Sequence, residues 1–206
     1  MPESSNVTAS RSALLELQDE RDVMREGHAF LDEKRTLLAS ELIDQLKEYY
    51  RLKERFASRY DEAVSAVKVA LLRHGLDGLQ CYPAHGETGQ LERQRHDLMG
   101  VALVRAKLAL PEEDGLSAWP SSEQGEHARR RFRELLADMV ALAAVGGNLM
   151  RLYDDYVRTE RRTRALEDVL IPELDEQIKN MSSTLEAQEL EEAVRVRSLK
   201  SKMARV

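Results

Sequence analysis

Apolar residues recur along the first third of the chain with a spacing of three and four, the pattern of a helix that buries one stripe. Taking Leu14 as heptad position a places Leu14, Leu17, Met24, Leu31, Leu38 and Leu42 on one seam, continued by Tyr49, Leu52, Phe56, Ala63, Ala66 and Ala70. Twelve of the eighteen a and d positions are apolar, and the exceptions are Arg21, His28, Arg35, Gln45, Arg59 and Arg73. A repeat of 3.5 residues kept this long predicts a left-handed supercoil with a partner helix. Asn6, Thr8 and Ser10 are candidate N-caps, and Gly75 is a candidate stop. Some 65 helical residues would span roughly 100 Å.

The partner is expected within the same chain. Ser121 and Gln124 suggest a capping box, after which a second helical pattern runs to about Ala204. Its stripe holds Leu142, Val145, Leu149, Leu152, Tyr156, Leu166 and Leu170. Beyond Pro172 it shifts by one residue to Leu174, Ile178, Met181, Leu185, Leu199 and Met203. Proline removes a backbone donor and crowds the preceding turn, so a local kink is expected there. Pairing the two ends antiparallel places Gly27 and His28 near residues 178–183.

Most of the helix breakers fall between these segments. Residues 91–95 and 101–110 alternate as strands around a turn at 97–100, residues 79–82 suggest a third short strand, and residues 106–110 are also compatible with helix. The expected fold is mainly α: a long antiparallel two-helix coiled coil of residues 8–75 and 126–204, with a middle region, 76–125, holding a β-hairpin and loops.

Composition narrows the function. The chain is 5% aromatic and 33% charged, lean for a globule and ordinary for a helix pair that buries a single seam. A net charge of −6 argues against a general nucleic-acid binder. The single cysteine, Cys81, has no internal disulfide partner. No run of 18 apolar residues and no apolar leader core is present, so any membrane link is expected to go through a partner rather than by direct insertion.

No phosphate loop, nucleophile elbow or pair of zinc-binding helical histidines appears, so no catalytic residue, cofactor or metal is expected. Cys81, His85 and His96 lack a fourth ligand and the usual zinc spacing. The adjacent carboxylates Asp154 and Asp155, or Glu191 and Glu192, point to different helix faces and read as solvated charge. Arg21, His28 and Arg35 recur every seven residues on the seam. They read first as devices that fix register, and second as a stretch that meets a third element. Gly27 fits both, since mid-helix glycine is costly yet permits close backbone approach. Arg158, Arg161, Arg162 and Arg164 form a dense basic turn, an exposed face by default and an acidic-partner contact as the functional alternative. Arg195, Arg197, Lys200, Lys202 and Arg205 complement a helix C-terminal dipole.

Several blocks together resemble the D subunit of the V-type (A/V-type) ATPases, the rotor component of the central stalk. They are Arg11 with Leu14, Leu15 and Leu17; Gly27-His28 with Leu31, Lys34 and Arg35; Met99-Gly100-Val101; Arg161 to Glu167; and Val169-Leu170-Ile171-Pro172-Glu173-Leu174. The chain departs from the family pattern at Ala9-Ser10-Arg11, where Pro-Thr-Arg is frequent, and through 83–94 and 115–125. The resemblance implies a non-catalytic shaft that couples ATP hydrolysis or synthesis in a hexamer of A and B subunits to proton or sodium movement. It also implies a small F subunit on the coiled coil of the stalk and a funnel-shaped subunit on the membrane rotor ring. The protein would then be cytoplasmic and peripheral to the membrane. Contact candidates for the hexamer or other partners are Arg21, Gly27, His28, Arg35, Arg158, Arg161, Arg162 and Arg164, with Met99, Gly100 and Val101 on the membrane side. A prefoldin-like holdase chaperone, which also joins coiled-coil arms through hairpins, is the alternative.

Overall fold

The computed structural model describes residues 10–80, 89–110 and 122–203. Its elements are helix α1 (Arg11–Gln80), strands β1 (Gln90–Leu98) and β2 (Val101–Ala109), helix α2 (Glu123–Ala165), a π-helical turn (Leu166–Leu170) and helix α3 (Ile171–Met203). The chain divides into two compact units, residues 1–36 with 157–206, and residues 37–156.

Helix α1 starts where its cap chemistry is satisfied. Ser10 Oγ accepts the Ala13 amide at 3.1 Å and Ser10 O accepts the Leu14 amide at 3.0 Å. The other candidate caps, Asn6 and Thr8, lie outside the described residues. At the far end Gly75 does leave helical geometry, with φ 68° and ψ 173°, but the helix resumes and ends at Gln80. Leu79 and Gln80 are therefore helical rather than part of a third strand, and Tyr82 lies outside the described residues. A left-handed glycine interrupts the hydrogen-bond ladder without turning the chain into a sheet.

The heptad reading of α1 holds at side-chain level. Its buried residues are Leu38, Leu52, Ala63, Ala66 and Ala70, all on the seam. The polar seam positions Arg21, His28, Arg35, Gln45 and Arg59 are half-buried, and Arg73 is exposed.

In the first unit α1 runs antiparallel to α3. Arg11 bonds Glu189 at 2.5 Å, Arg25 meets Asp175 at 3.2 Å, and His28 Nε2 stands 3.8 Å from a Glu167 oxygen. The expected pairing of Gly27 and His28 with residues 178–183 is thus corrected to the neighbourhood of Glu167. Register follows the match of apolar seams and not flush ends, so α3 continues past Glu189 beyond the first residue of α1. The one-residue shift at Pro172 has a structural cause. The Ile171 amide bonds Leu166 O, a five-residue step that inserts one extra residue into the turn. A straight continuation would put Glu173, Gln177, Asn180 and Thr184 on the seam, whereas Leu174 is buried and Ile178, Met181 and Leu185 are half-buried.

In the second unit α1 again pairs antiparallel, now with α2. Ser122 caps α2 by accepting the Gly125 amide at 3.3 Å, one residue later than the expected cap Ser121, which lies outside the described residues. Its hydroxyl also bonds His74 Nε2, joining the end of α1 to the start of α2. The hairpin is a two-residue turn: Met99 and Gly100 take φ 51° and 86°, and the Gly100 amide donates to Asp97 Oδ1 at 2.9 Å. Leu98 pairs with Val101 and Gln90 with Ala109 at the ends of the register, so residues 106–109 are strand. Val101 and Leu103 enter the core with Leu38 and Leu152, and Leu42, Leu98 and Tyr156 pack around them.

Candidate partner-binding surfaces

The seam polar residues make cross-helix contacts that an apolar stripe could not. Arg21 Nη1 lies 3.8 Å from the same Asp175 that Arg25 bonds, which ties α1 to one register on α3. Arg35 pairs within its own helix, with Asp32 at 2.6 Å. His28 Nε2 is buried and has no hydrogen-bond partner among the described residues, since 3.8 Å to Glu167 is too long for one. At Gly27 an added Cβ would meet nothing within 4 Å. The close backbone approach that Gly27 permits is therefore not made by the described residues of its own chain.

Helical phase turns the basic cluster of α2 outward. Thr159 and Thr163 hold the seam there, both buried, and Thr163 Oγ1 donates to Thr159 O at 3.0 Å. Arg158, Arg161, Arg162 and Arg164 occupy the remaining arc and are all exposed. Arg164 is held by Glu160 at 2.6 Å. The result is a guanidinium-rich arc on a helix whose opposite face is fixed by packing, suited to an anionic surface.

Met99 and Gly100 form the hairpin tip, half-buried and exposed respectively, while Val101 is buried in the core and acts there as an anchor for the tip. Asn148 on α2 completes the anchoring. Its Oδ1 accepts the Val104 amide at 2.8 Å and its Nδ2 donates to Val104 O at 3.0 Å, while Arg151 donates to the same Oδ1 at 2.6 Å. This amide was not singled out from sequence; the signal was a lone asparagine beside an apolar seam. Asp138 was missed as well. It sits on the seam, is buried, and accepts hydrogen bonds from Arg55 at 2.6 Å and Arg59 at 2.8 Å. Charge complementarity between Arg59 on one seam and an acid on the other would have revealed it.

Among the described residues no group of three or more His, Cys, Asp or Glu is arranged to hold a metal ion. One stretch within Glu123–Ser201 is apolar enough to cross a membrane by length and composition alone, with mean hydropathy 1.4. The same helical stretch carries Asp138 in its two-arginine bond and packs against β2, as a helix of a folded pair does.

Comparison with known proteins agrees across nearly the whole chain. The family model for the ATP synthase D subunit matches residues 13–201. The V-type ATP synthase D subunit of Thermotoga neapolitana is 29% identical over 203 residues, covering 97% of this chain and 100% of the relative. The A-type ATP synthase D subunit of Methanopyrus kandleri is also 29% identical, covering 97% and 88%. That of Pyrococcus furiosus is 27% identical, covering 98% and 96%. With the helix pairing and hairpin in the order that the sequence blocks implied, the chain belongs to the ATP synthase D subunit family.

Proposed function

We propose that this member of an ATP synthase complex is its non-catalytic central shaft, coupling ATP hydrolysis or synthesis in a hexamer of A and B subunits to proton or sodium transport. The observation that carries this reading is the antiparallel pairing of α1 with the C-terminal helical segments along a heptad seam, held in register by Arg25–Asp175 in one unit and Arg55–Asp138–Arg59 in the other. Two helices interlocked by side chains transmit twist better than one, because rotation of either must shear the packed seam. Segments 8–75 and 126–204 supply the coiled coil and 76–125 the middle region.

Arg158, Arg161, Arg162 and Arg164 provide an asymmetric basic arc for the hexamer, and Arg21, Gly27, His28 and Arg35 a second contact stretch. An asymmetric surface is required, since only differential contact biases one catalytic state over another. Met99, Gly100 and Val101 lie toward the funnel-shaped subunit of the membrane ring, and the small F subunit of the stalk binds the coiled coil. The complex would hold the chain on the cytoplasmic side, peripheral to the membrane. The holdase alternative loses its ground to the match over residues 13–201.

The test is reconstitution with charge reversal at Arg161, Arg162 and Arg164. The expected result is ATP hydrolysis that no longer drives ion movement in proportion. Unchanged coupling overturns the role of the arc, and failure of the unmodified chain to co-purify with an ATP-hydrolysing hexamer overturns the shaft.

A further inference from the structure

In the first unit His28 carries a shielded nitrogen with nothing to bond. Its Nε2 has no hydrogen-bond partner among the described residues, and a Glu167 carboxylate oxygen stands 3.8 Å away. Either neutral form of imidazole leaves this atom unsatisfied, as an acceptor without a donor or as a donor without an acceptor. The protonated ring presents Nε2–H to a carboxylate as a charged donor, the combination that makes the shorter and stronger hydrogen bonds. The Glu167 side chain is 63% exposed, so rotation about its own bonds can bring an oxygen in by the roughly 1 Å required while both helices stay in place.

The neighbouring charges leave these two groups to each other. On α1, Arg21 and Arg25 share Asp175 of α3, Asp32 is bonded by Arg35, and Lys34, farther along, is half-buried and itself engaged. On the opposite segment Arg164 holds Glu160, while Asp168 and Glu173 are exposed. Glu167 makes no other ion pair among the described residues. It also lies in the π-helical turn, whose Ile171 amide reaches back to Leu166 O and whose next residue, Pro172, has no amide to offer. A hydrogen bond from α1 to Glu167 therefore reinforces the place where the helix's own ladder is thinnest.

We propose that His28 and Glu167 form a proton-operated latch between α1 and the π-helical turn, closed when the imidazole is protonated and open when it is neutral. Imidazole ordinarily changes charge between about pH 5 and 8, so the latch strengthens the pairing of the two segments on the acidic side of neutrality and releases it as pH rises. It lies outside the shaft reading and operates in the isolated full chain. Amide hydrogen exchange at Ile171, corrected for its intrinsic dependence on hydroxide, reads the latch locally, and the other histidines all fall within residues 37–156. Protection at about pH 6 is expected to exceed that at about pH 8 by about two- to fivefold, the range of a partly exposed ion pair. Glu167→Ala is expected to abolish the difference, Asp168→Ala to preserve it, and His28→Lys, charged at both pH values, to hold the higher protection throughout. Glu167 and Asp168 are exposed, so their alanine variants keep the fold and the comparison stands even where His28→Lys does not. A difference that survives Glu167→Ala, one that Asp168→Ala abolishes, no difference in the unmodified chain, or a folded lysine variant that still responds to pH overturns the latch.

Discussion

Replacing Pro172 with alanine separates two explanations of the π-helical turn, that proline forces it or that packing does. Proline inside a helix costs about 3 kcal/mol relative to alanine, so this is the most that Pro172→Ala can gain. Relaxing the turn to regular α-helix would rotate everything downstream by about one residue, or roughly 100°. Leu174, buried, and Ile178, Met181 and Leu185, half-buried, would leave the seam and Glu173, Gln177, Asn180 and Thr184 would enter it. At about 2 kcal/mol for the first and ~1 kcal/mol for each of the others, lost burial amounts to about 5 kcal/mol. In the alanine variant no proline penalty remains to favour either geometry, so packing alone holds the turn. Pro172→Ala should therefore raise stability by up to about 3 kcal/mol while the turn and the register persist. The assay is denaturant unfolding, combined with a short thiol cross-linker between Arg25→Cys and Asp175→Cys in a Cys81→Ser background. A cross-link that moves from position 175 to position 174 in the alanine variant would refute the reasoning.

Three further outcomes follow from the same structure. Gly27→Ala should stabilise the isolated chain by about 1 kcal/mol, since the added methyl meets open space; a loss of coupling in the reconstituted complex despite that gain would place a partner's backbone against Gly27. Asn148→Ala should cost about 2–4 kcal/mol, because it strands the Val104 amide and carbonyl and removes a packed side chain, and hydrogen exchange at Val104 should accelerate with it. Asp138→Asn should cost about 1–2 kcal/mol rather than the larger penalty of a fully buried pair, because Arg55 and Arg59 remain 45% and 40% exposed and water can take them up; urea unfolding measures it, and a loss above about 4 kcal/mol would mean the arginines cannot reach solvent.

The heptad seam was legible because burial in a helix pair leaves a period that the sequence must obey, and all five buried residues of α1 fell on it. The hairpin was legible from a turn at 97–100 between alternating residues, though residues 97 and 98 belong to β1 and the turn is only Met99-Gly100, since an outer strand exposed along nearly its whole length needs no apolar face. Register was misjudged because antiparallel pairing depends on side chains far apart in sequence. The shift at Pro172 was visible as a break of phase, but its form, a wide π-helical turn that restores the seam, was not. Asp138 and Asn148 escaped notice because their partners, Arg55, Arg59 and Val104, lie 44 or more residues away. The Arg158–Arg164 cluster could be found from sequence, and its outward orientation followed only once Thr159 and Thr163 were seen to be buried.

A two-stranded ribbon ordinarily offers two unsaturated edges, and unlimited stacking of copies into a fibre requires both. Here the carboxamide of Asn148 mimics a neighbouring strand at Val104, near the middle of one edge, so ribbon growth on that flank is blocked there by a single side chain. Any strand exchange at the β1 flank would stop at a pair, which lets a long, highly exposed hairpin exist in a crowded cell without seeding polymer.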